Sequence, residues 1–429
     1  MGLLGRETGK DFLWRALQTA ARQGVLFAFA LYAAARLGPE DFGAYSYVLA
    51  VTMLLVVVAE FGVSAAVSKR VAEAEATAQG AVRAIVGDAL VMTLATSTAA
   101  LAVLVVVVEG VLGNRYLYAA SPLLYLVPAA SVYDGVFRGS RRFARLSLLA
   151  TGAGLTGLAL GLALIEAWGL VGALAAQVGL YGLLLGTLAI GYGAIQVRPT
   201  WASVRELGGY SVYIGVANVG HFLYTRVDSV VLGAFGYLVA VGHYELIYNV
   251  FLLLLVPFGI LGQVIAPQVS GHYARRAYGR VYRGFVVLLV SLLGVGALLA
   301  LAVAAVGLEV LGWALPQYRN EMAVQMLSLL LYVLPVKVAG TALAPGFVTA
   351  TGHAGILTVN TLVFGVMNVA LDYLLVLRFG YIGVVYATLC LSYASFAIAM
   401  GVYLVRVRRV ASEDGPGAGR GEWRVEPGR

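Results

Sequence analysis

The sequence predicts an all-α polytopic membrane protein in which 12 transmembrane helices form two pseudo-symmetric six-helix lobes around a central cavity. Three observations predict this fold class: long apolar stretches, the placement of arginine and lysine in the loops between them, and an internal repeat. Hydrophobic residues make up 61% of the 429-residue chain and charged residues 12%, whereas the apolar share of soluble domains is nearer half. Because no stretch outside the predicted helices is long enough to build a water-soluble domain, we expect functional groups to lie between helices.

The apolar stretches are long enough to cross a bilayer, whose hydrocarbon core takes about 20 apolar residues per helix. The stretches 89–108 and 285–306, for example, contain no charged residue. Short polar loops separate successive stretches, so the order of the stretches gives the order of the helices. The predicted spans are 12–35, 42–63, 84–108, 117–137, 145–165, 168–192, 208–232, 242–266, 284–308, 321–343, 355–377 and 381–405.

Arginine and lysine fall mostly on one side of this arrangement. If the N-terminus is cytoplasmic, the opposite face keeps only Arg36, Arg115, Arg319 and Arg378. An excess of basic residues in cytoplasmic loops is the usual orientation signal of helical membrane proteins. We therefore expect a multi-pass protein of the cell membrane with both termini in the cytoplasm. The segment 410–429, rich in Gly, Pro and charge, is predicted to be a disordered cytoplasmic tail.

The internal repeat relates the two halves of the chain. Similar short segments recur at 42–46 and 241–245, at 168–172 and 379–383, and at 126–128 and 333–335. These pairs predict an N-terminal lobe at 1–205 and a C-terminal lobe at 206–409. Because each copy holds an even number of helices, both lobes enter the membrane the same way round. Parallel repeats of this kind are typical of alternating-access transporters, with the substrate path between the halves.

Several other functions lack support in the sequence. The formal charge of +8 is spread over short loops rather than one folded face, so nucleic acid is not an expected partner. The single cysteine, Cys390, and four isolated histidines offer no metal-ligand spacing. The segment 152–157 matches a G-x-G-x-x-G pattern, but it lies in an apolar helix with no preceding strand. We expect no cofactor, no ATPase and no enzymatic activity.

The chain resembles a known family along nearly its whole length. The resemblance rests on the segments 35–46, 60–64 with Arg70, 135–143, 226–228 and 368–383. In these segments the sequence is similar to the polysaccharide transport, or O-antigen flippase, family of the multidrug/oligosaccharidyl-lipid/polysaccharide exporter superfamily. Two departures are Asp372, where the family more often has a neutral polar residue, and Lys337, which has no consistent counterpart.

This resemblance implies two six-helix lobes in a V around a cavity that opens alternately to either face. It also implies a cargo of oligosaccharide linked to a polyprenyl phosphate, undecaprenyl or dolichyl, that is made on the cytoplasmic leaflet. Membrane lipid and glycan assembly enzymes would be its other partners. The implied function is a flippase that moves this cargo across the cytoplasmic membrane.

Polar residues at membrane depth are candidates for the substrate or ion path, because burying them in lipid is costly. In the first predicted helix, Arg15, Gln18 and Arg22 share one face. Guanidinium groups bind phosphate oxygens with two parallel hydrogen bonds, so this face suits an anionic headgroup. Arg15 is also placed to reach the inner headgroups, whereas Arg22 lies deeper. We take Gln18 and Arg22 as candidates for the pyrophosphate site.

The seventh predicted helix carries a polar stripe of Asn218, His221, Thr225 and Asp228. Arg226 lies about 160° around the helix from Asp228 and cannot share that face. We expect Arg226 to pair with an acid of a neighbouring helix, Glu245 being the candidate. A structural ion pair and a contact with the pyrophosphate are both open for Arg226. Asp228 and His221 are candidates for ion coupling.

Lys337 stands midway along the tenth predicted helix and requires a compensating acid or phosphate. Asp372 and Asp134 are the acids of other helices that could supply this charge, and a phosphate contact is equally open. Asp372 and Glu60 complete the ion-coupling candidates, although Glu60, near a cytoplasmic helix end, also suits a capping or ion-pair role.

Two alternatives to the flippase are kept. A cation-coupled multidrug exporter of the same superfamily would require an acidic cavity, which the candidates Arg22, Arg226 and Lys337 argue against. A membrane-embedded glycosyltransferase or polymerase would need a sizeable catalytic loop with paired acids. The predicted outer loops are short, and Glu109, Glu166 and Glu309 are isolated in them.

Overall fold

The computed structural model describes residues 6–77, 82–193, 196 and 201–413. Within the helices, the side chains of 6–22, 111–112, 201–203 and 413 lie outside the described residues. The described part is helical and contains no strand. Its α-helices are α1 (Arg6–Glu60), α2 (Val63–Ala76), α3 (Val82–Val107), α4 (Tyr116–Ala120), α5 (Leu123–Gly139), α6 (Phe143–Tyr192), α7 (Trp201–Ala234), α8 (Leu238–Ala274), α9 (Tyr278–Ala314), α10 (Glu321–Leu330), α11 (Leu334–Leu343), α12 (Ala354–Phe379) and α13 (Ile382–Glu413).

Among the described residues, eight helical segments are long and apolar enough to cross a bilayer. Two of them each contain two predicted spans: Gln23–Ala76 is divided at Gly38, and Phe143–Tyr192 at Gly169. At both glycines φ is positive, 74° and 53°, a conformation that residues with a side chain rarely adopt. The predicted spans 117–137 and 208–232 correspond to α4 with α5, and to α7. The helix arrangement thus agrees with the predicted fold class.

The helix boundaries differ from the prediction in two ways. Several helices continue beyond their apolar centres, as in α8, which has 37 residues where 242–266 was predicted. Polar residues at a membrane interface do not end a helix, so hydropathy locates the centre better than the ends. The tenth span is not one α-helix, because a 3₁₀ turn at Leu331–Val333 separates α10 from α11 and a π-helix follows at Ala344–Thr349. Pro335 and Pro345 each lack the N–H that a regular helix requires there.

The repeat is visible in backbone packing at the start of the second and eighth spans. A Cβ at Gly43 would collide with the Leu238 carbonyl, and one at Gly242 would collide with the Pro39 carbonyl. The two equivalent glycines therefore lie in a contact between the two halves. A second pair, Gly172 and Gly383, each packs against a carbonyl of the preceding helix within its own half. We call α1–α6 the N-lobe and α7–α13 the C-lobe.

The lobes meet at both ends of the bundle. At the end that contains Gly38 and Gly169, which we call the distal end, Gly43 contacts Gly242. At the opposite end, the proximal end, α2 contacts α7. There Arg70 forms an ion pair with Glu206, and the Lys69 ammonium lies 4.4 Å from the centre of the Tyr210 ring. The hydrogen bond from Arg70 lowers the pKa of Glu206. Movement of the lobes apart at either end requires one of these contacts to separate.

The chain limits of the lobes stay predictions. Leu207, near the start of α7, packs in a core of N-lobe residues that includes Val67 and Phe137, so the first turns of α7 lie against the N-lobe. At the other end of the chain, α13 continues to Glu413 and so includes the first four residues of the predicted tail. Residues 414–429 lie outside the described residues.

Candidate functional site

The C-lobe contains a small polar cavity between α7, α8, α11, α12 and α13, with about 260 Å³ of open volume. We call it the C-lobe cavity. It includes Asp228 and Lys337, two of the residues predicted from the sequence. Its lining is Tyr224, Thr225, Asp228, Tyr244, Tyr248, Lys337, Asn368, Thr388, Leu391 and Ser392.

Asp228, the acid in this lining, accepts hydrogen bonds from two neighbouring helices. Its side chain is buried, and the Tyr244 hydroxyl donates a hydrogen bond to Oδ2. The Asn368 amide donates to Oδ1 at 2.9 Å. The Thr388 hydroxyl lies 3.3 Å from the Tyr244 hydroxyl and extends the network to α13. Hydrogen bonds from neutral donors stabilise a buried carboxylate, so α8 and α12 together hold Asp228 in place.

Asp372 lies one helical turn beyond Asn368 on α12 and is fully buried. It is close enough to Asp228 for the two carboxyl groups to influence each other. Neither Asp372 oxygen has a hydrogen-bond partner among the described residues. Two adjacent buried carboxylates repel each other unless a proton or a cation lies between them. The pair therefore has the chemistry of a proton or alkali-cation site.

Arg226 pairs with Glu245, as predicted from its angular position on the helix. The Arg226 guanidinium lies 3.1 Å from Glu245 Oε2 and 4.9 Å from the centre of the Tyr248 ring. The Ser229 hydroxyl donates to Glu245 Oε1 at 2.5 Å. The Glu245 side chain is 9% exposed, whereas that of Arg226 is 36% exposed. The Arg226 side chain is thus only partly covered by Glu245 and Tyr248.

Lys337 has a different environment from the one predicted. Its ammonium lies 5.0 Å from the centre of the Tyr224 ring, and no carboxylate of the described residues lies within ion-pair distance. The prediction of Asp134 as its partner is wrong, because Asp134 pairs with Arg138 within α5 of the N-lobe. Asp372 does not pair with it either and lies beside Asp228 instead. A lysine facing a cavity without a direct acid partner can receive an anion.

The remaining candidates are spread more widely. His221 is exposed and lies outside the cavity lining, although the charges of Lys337 and Arg226 reach it. Glu60 accepts hydrogen bonds from the backbone N–H groups of Gly62 at 3.2 Å and Ser64 at 3.1 Å, so it caps the start of α2. The side chains of Arg22 and Gln18 lie outside the described residues, and their roles stay predictions.

The repeat identifies the N-lobe residues that occupy the corresponding positions. Tyr244 corresponds to Tyr45, because both lie in the first repeat segment. Thr388 corresponds to Gln177, because they lie five residues after the equivalent glycines Gly383 and Gly172. Gln177 donates to the Tyr45 hydroxyl at 2.7 Å. Sequence reasoning missed Tyr244, Thr388 and Asn368 as site residues, although Tyr244 lies in a repeat segment that could have pointed to it.

A comparison with known protein families identifies the family of the chain. A protein family described as "Polysaccharide biosynthesis protein" matches residues 8–272, more than half of the chain. The chain belongs to this family. Together with its long apolar helices, this family membership describes a multi-pass membrane protein.

A glycan biosynthesis protein of an archaeon is similar to part of the chain. The chain is 25% identical over 256 residues to the "probable low-salt glycan biosynthesis flippase Agl15" of Haloferax volcanii. The match covers 58% of the chain and 52% of that relative. The chain is thus aligned with about half the length of the relative.

Solved structures match the chain over more of its length than this relative does. The inward-facing conformation of a multidrug resistance MATE family transporter of the MOP superfamily is similar with a TM-score of 0.71 and 15% identity, covering 91% of this chain and 96% of that one. A eukaryotic MATE transporter, AtDTX14, gives a TM-score of 0.62 and 16% identity, covering 95% and 99%. These likenesses establish the two-lobe transporter fold.

Proposed function

We propose that this protein is a flippase that moves polyprenyl-linked oligosaccharide across the cytoplasmic membrane by alternating access of its two lobes. The partial exposure of the Arg226 side chain is the observation that carries the proposal. This arginine at membrane depth, with Lys337 outside ion-pair distance of any carboxylate of the described residues, provides positive charge for a lipid pyrophosphate. The family membership and the glycan flippase relative support a lipid-linked glycan as the cargo.

The physical task of such a flippase is to keep the sugars hydrated. An oligosaccharide cannot leave its hydroxyl groups unsatisfied in hydrocarbon, because each unpaired polar group costs several kcal/mol. In our proposal the sugars cross in a wet cleft between the lobes while Arg226, Lys337, Arg22 and Gln18 hold the pyrophosphate. No covalent bond is made or broken, so the protein acts as a transporter and needs no cofactor.

We further propose that Asp228 and Asp372 couple transport to a proton or an alkali cation. Their adjacency and the unpartnered oxygens of Asp372 support this role. A cation that neutralises the pair would change the electrostatics of the cavity that also contains Lys337. His221 and Glu60 remain weaker candidates for coupling, since Glu60 caps α2 in the N-lobe and the His221 ring is not among the groups that hydrogen-bond to Asp228.

The proposed orientation places the proximal end, with α2 and both termini, in the cytoplasm. This follows from the distribution of basic loops. The lipid-linked glycan would then enter from the side on which glycan assembly enzymes act, and these enzymes are the protein partners that we propose. Labelling of single cysteines from outside intact cells should reach the distal loops and spare the proximal ones.

The multidrug-exporter alternative has one observation in its favour: the acids Asp228, Asp372 and Glu245 lie close together in the C-lobe. Asp228 is occupied by Tyr244 and Asn368, and Glu245 by Arg226 and Ser229. Asp372 has oxygens without a hydrogen-bond donor but is fully buried, whereas the Arg226 side chain is 36% exposed. This distribution favours an anionic cargo over a cationic drug.

A double variant separates the structural role of Arg226 from a role in binding. Arg226→Gln alone would leave Glu245 buried without its partner, which typically costs about 3–5 kcal/mol. In Arg226→Gln with Glu245→Gln the pair is neutral, and the protein should fold. If Arg226 binds the pyrophosphate, the double variant should translocate lipid-linked oligosaccharide in proteoliposomes at least about tenfold more slowly, a loss of about 1.4 kcal/mol.

The matched control neutralises another arginine–glutamate pair, Arg36→Gln with Glu166→Gln, which is largely exposed at the distal end. Exposed pairs contribute little, so this variant should transport at the wild-type rate. A wild-type rate in the Arg226/Glu245 double variant would reject Arg226 as a substrate-binding residue.

A further inference from the structure

The N-lobe contains a larger cavity at the position that corresponds to the C-lobe cavity. It lies between α1, α5 and α6 and has about 950 Å³ of open volume. We call it the N-lobe cavity. Leu180 lines this cavity, and Leu391 lines the C-lobe cavity. The two leucines are equivalent in the repeat, because Leu180 lies eleven residues after Gly169 and Leu391 lies eleven residues after Gly380. The two cavities therefore share a repeat-related wall, and the N-lobe cavity extends further along α5 and α6, to Asp134 and Leu188.

The chemistry of the two cavities differs sharply. Ala130 of α5 stands where the C-lobe has Lys337, since each lies two residues after the repeat proline. Gly161 packs against the Phe29 ring where the equivalent Asp372 lies beside Asp228. The middle of the N-lobe cavity is lined by apolar side chains and glycine, including Val25, Leu26 and Gly154. The N-lobe cavity thus has no counterpart of Lys337, and its polar lining residues are Ser131, Asp134, Thr151 and Tyr181.

Such a space requires an apolar occupant. Protein interiors are closely packed, and side chains that line an empty space forfeit contacts. Because most of the wall is apolar, water finds few hydrogen-bond partners along it. A hydrocarbon chain would restore the contacts and add about 0.8 kcal/mol for each methylene buried.

The rim of the N-lobe cavity is basic at the proximal end. Asp134, one turn before the end of α5, pairs with Arg138, whose side chain is 46% exposed. Arg142 and Arg145 follow at the start of α6 and are exposed. An apolar interior below a rim with excess positive charge is complementary to an amphiphile with an anionic head and a hydrocarbon chain.

We propose that the N-lobe cavity holds the isoprenoid chain of the lipid-linked substrate, at the units nearest the phosphate. This inference rests on the proposed flippase function and deepens it. The two lobes then share the substrate: Arg226 and Lys337 of the C-lobe bind the pyrophosphate, and the N-lobe holds the adjoining hydrocarbon. The rest of the chain extends into lipid.

The direct test is photolabelling of the purified protein in lipid nanodiscs. The probe is a polyprenyl diphosphate with a diazirine in its first isoprene unit, and a phosphatidylcholine with a diazirine in its acyl chain is the competing probe. We expect the polyprenyl probe to label peptides of α1, α5 and α6 around Leu26, Ala130 and Gly154. Labelling confined to other helices, or labelling of this site by the phospholipid probe alone, would overturn the inference.

A matched pair of variants gives an independent readout. A Cβ at Gly154 would meet only Val25 Cγ1, at 3.8 Å, whereas a Cβ at the exposed Gly152 would meet no atom within 4 Å. Gly154→Leu should therefore fill the cavity, and Gly152→Leu should leave it open. We expect N-lobe labelling and transport to fall by about tenfold or more in Gly154→Leu, because several methylenes lose their burial. Both should remain at wild-type values in Gly152→Leu.

The outcomes distinguish this inference from the function on which it rests. If wild-type vesicles fail to translocate lipid-linked oligosaccharide, the proposed function fails. If wild-type vesicles translocate it while Gly154→Leu transports at the wild-type rate and the N-lobe stays unlabelled, only the isoprenoid site is rejected. Photolabelling of the wild-type protein decides the matter even if Gly154→Leu does not fold.

Discussion

The two lobes place the same helix packing around very different centres. In the C-lobe, Tyr244 donates to Asp228, and the unpartnered acid Asp372 lies beside it. In the N-lobe, the equivalent Tyr45 accepts from Gln177, and no acid occupies the positions of the C-lobe pair. The glycines that set the helix contacts are retained in both halves, so packing and charge vary independently. In our proposal, this difference gives ion and headgroup chemistry to the C-lobe and apolar space to the N-lobe.

The largest expected effect comes from placing C-lobe charge in the N-lobe. Gly161→Asp introduces an acid at the position equivalent to Asp372, against the Phe29 ring and without a partner. An uncompensated buried charge typically costs about 3–5 kcal/mol, so we expect little monodisperse protein in size-exclusion chromatography. Gly161→Ala meets the same ring and serves as the control for crowding alone. Equal yields of folded protein for the two variants would contradict the comparison.

Removing the C-lobe acids should act on transport more than on folding. We expect Asp228→Asn with Asp372→Asn to slow translocation by about a hundredfold, corresponding to about 2.7 kcal/mol, and to abolish its dependence on an ion gradient. Gln177→Ala, at the equivalent N-lobe network, should transport within about threefold of the wild type. The measurement is initial rate in proteoliposomes with and without proton and sodium gradients. A gradient response retained by the double variant would exclude this pair as the coupling site.

The two equivalent tyrosines provide a closer comparison. Tyr244→Phe removes a hydrogen bond to a buried acid, and such bonds are typically worth about 1.5–3 kcal/mol when the acceptor is charged. We expect the half-saturating concentration of the coupling ion to change by about tenfold. Tyr45→Phe removes a bond between neutral groups and should shift thermal stability slightly while leaving the ion dependence unchanged. Equal shifts in ion dependence for both variants would remove the functional distinction between the lobes.

Glu60 should show the smallest effect. Its carboxylate caps α2 after the break at Phe61 and Gly62, where φ is 37° and 80°. Loss of a helix cap costs about 1 kcal/mol, so Glu60→Ala should lower the thermal midpoint of the protein in detergent by a few degrees. Transport should keep its ion dependence. A lost gradient response would instead support Glu60 as a coupling residue.

The sequence predicts the features that depend on local pattern. Apolar length locates the spans, the glycines reveal the repeat, and the angular position of Arg226 leads to its pairing with Glu245. Contacts between distant helices are different, because nothing in the spacing of Asp228 and Asp372 shows that α7 packs on α12. Because Asp372 lies beside Asp228, it does not pair with Lys337, and the sequence could not show this. The break between α10 and α11 also depends on how Pro335 is accommodated, with the Tyr393 hydroxyl donating to the Tyr332 carbonyl at 2.8 Å.

The central claim is that the protein carries an anionic glycolipid through a cleft lined by positive charge. The most direct test compares two cargoes in vesicles that contain only this protein: a labelled polyprenyl diphosphate oligosaccharide and the cationic dye ethidium. We predict saturable translocation of the glycolipid at least about tenfold above protein-free vesicles and no transport of ethidium. Ethidium transport without glycolipid translocation would contradict the account and identify a multidrug exporter instead.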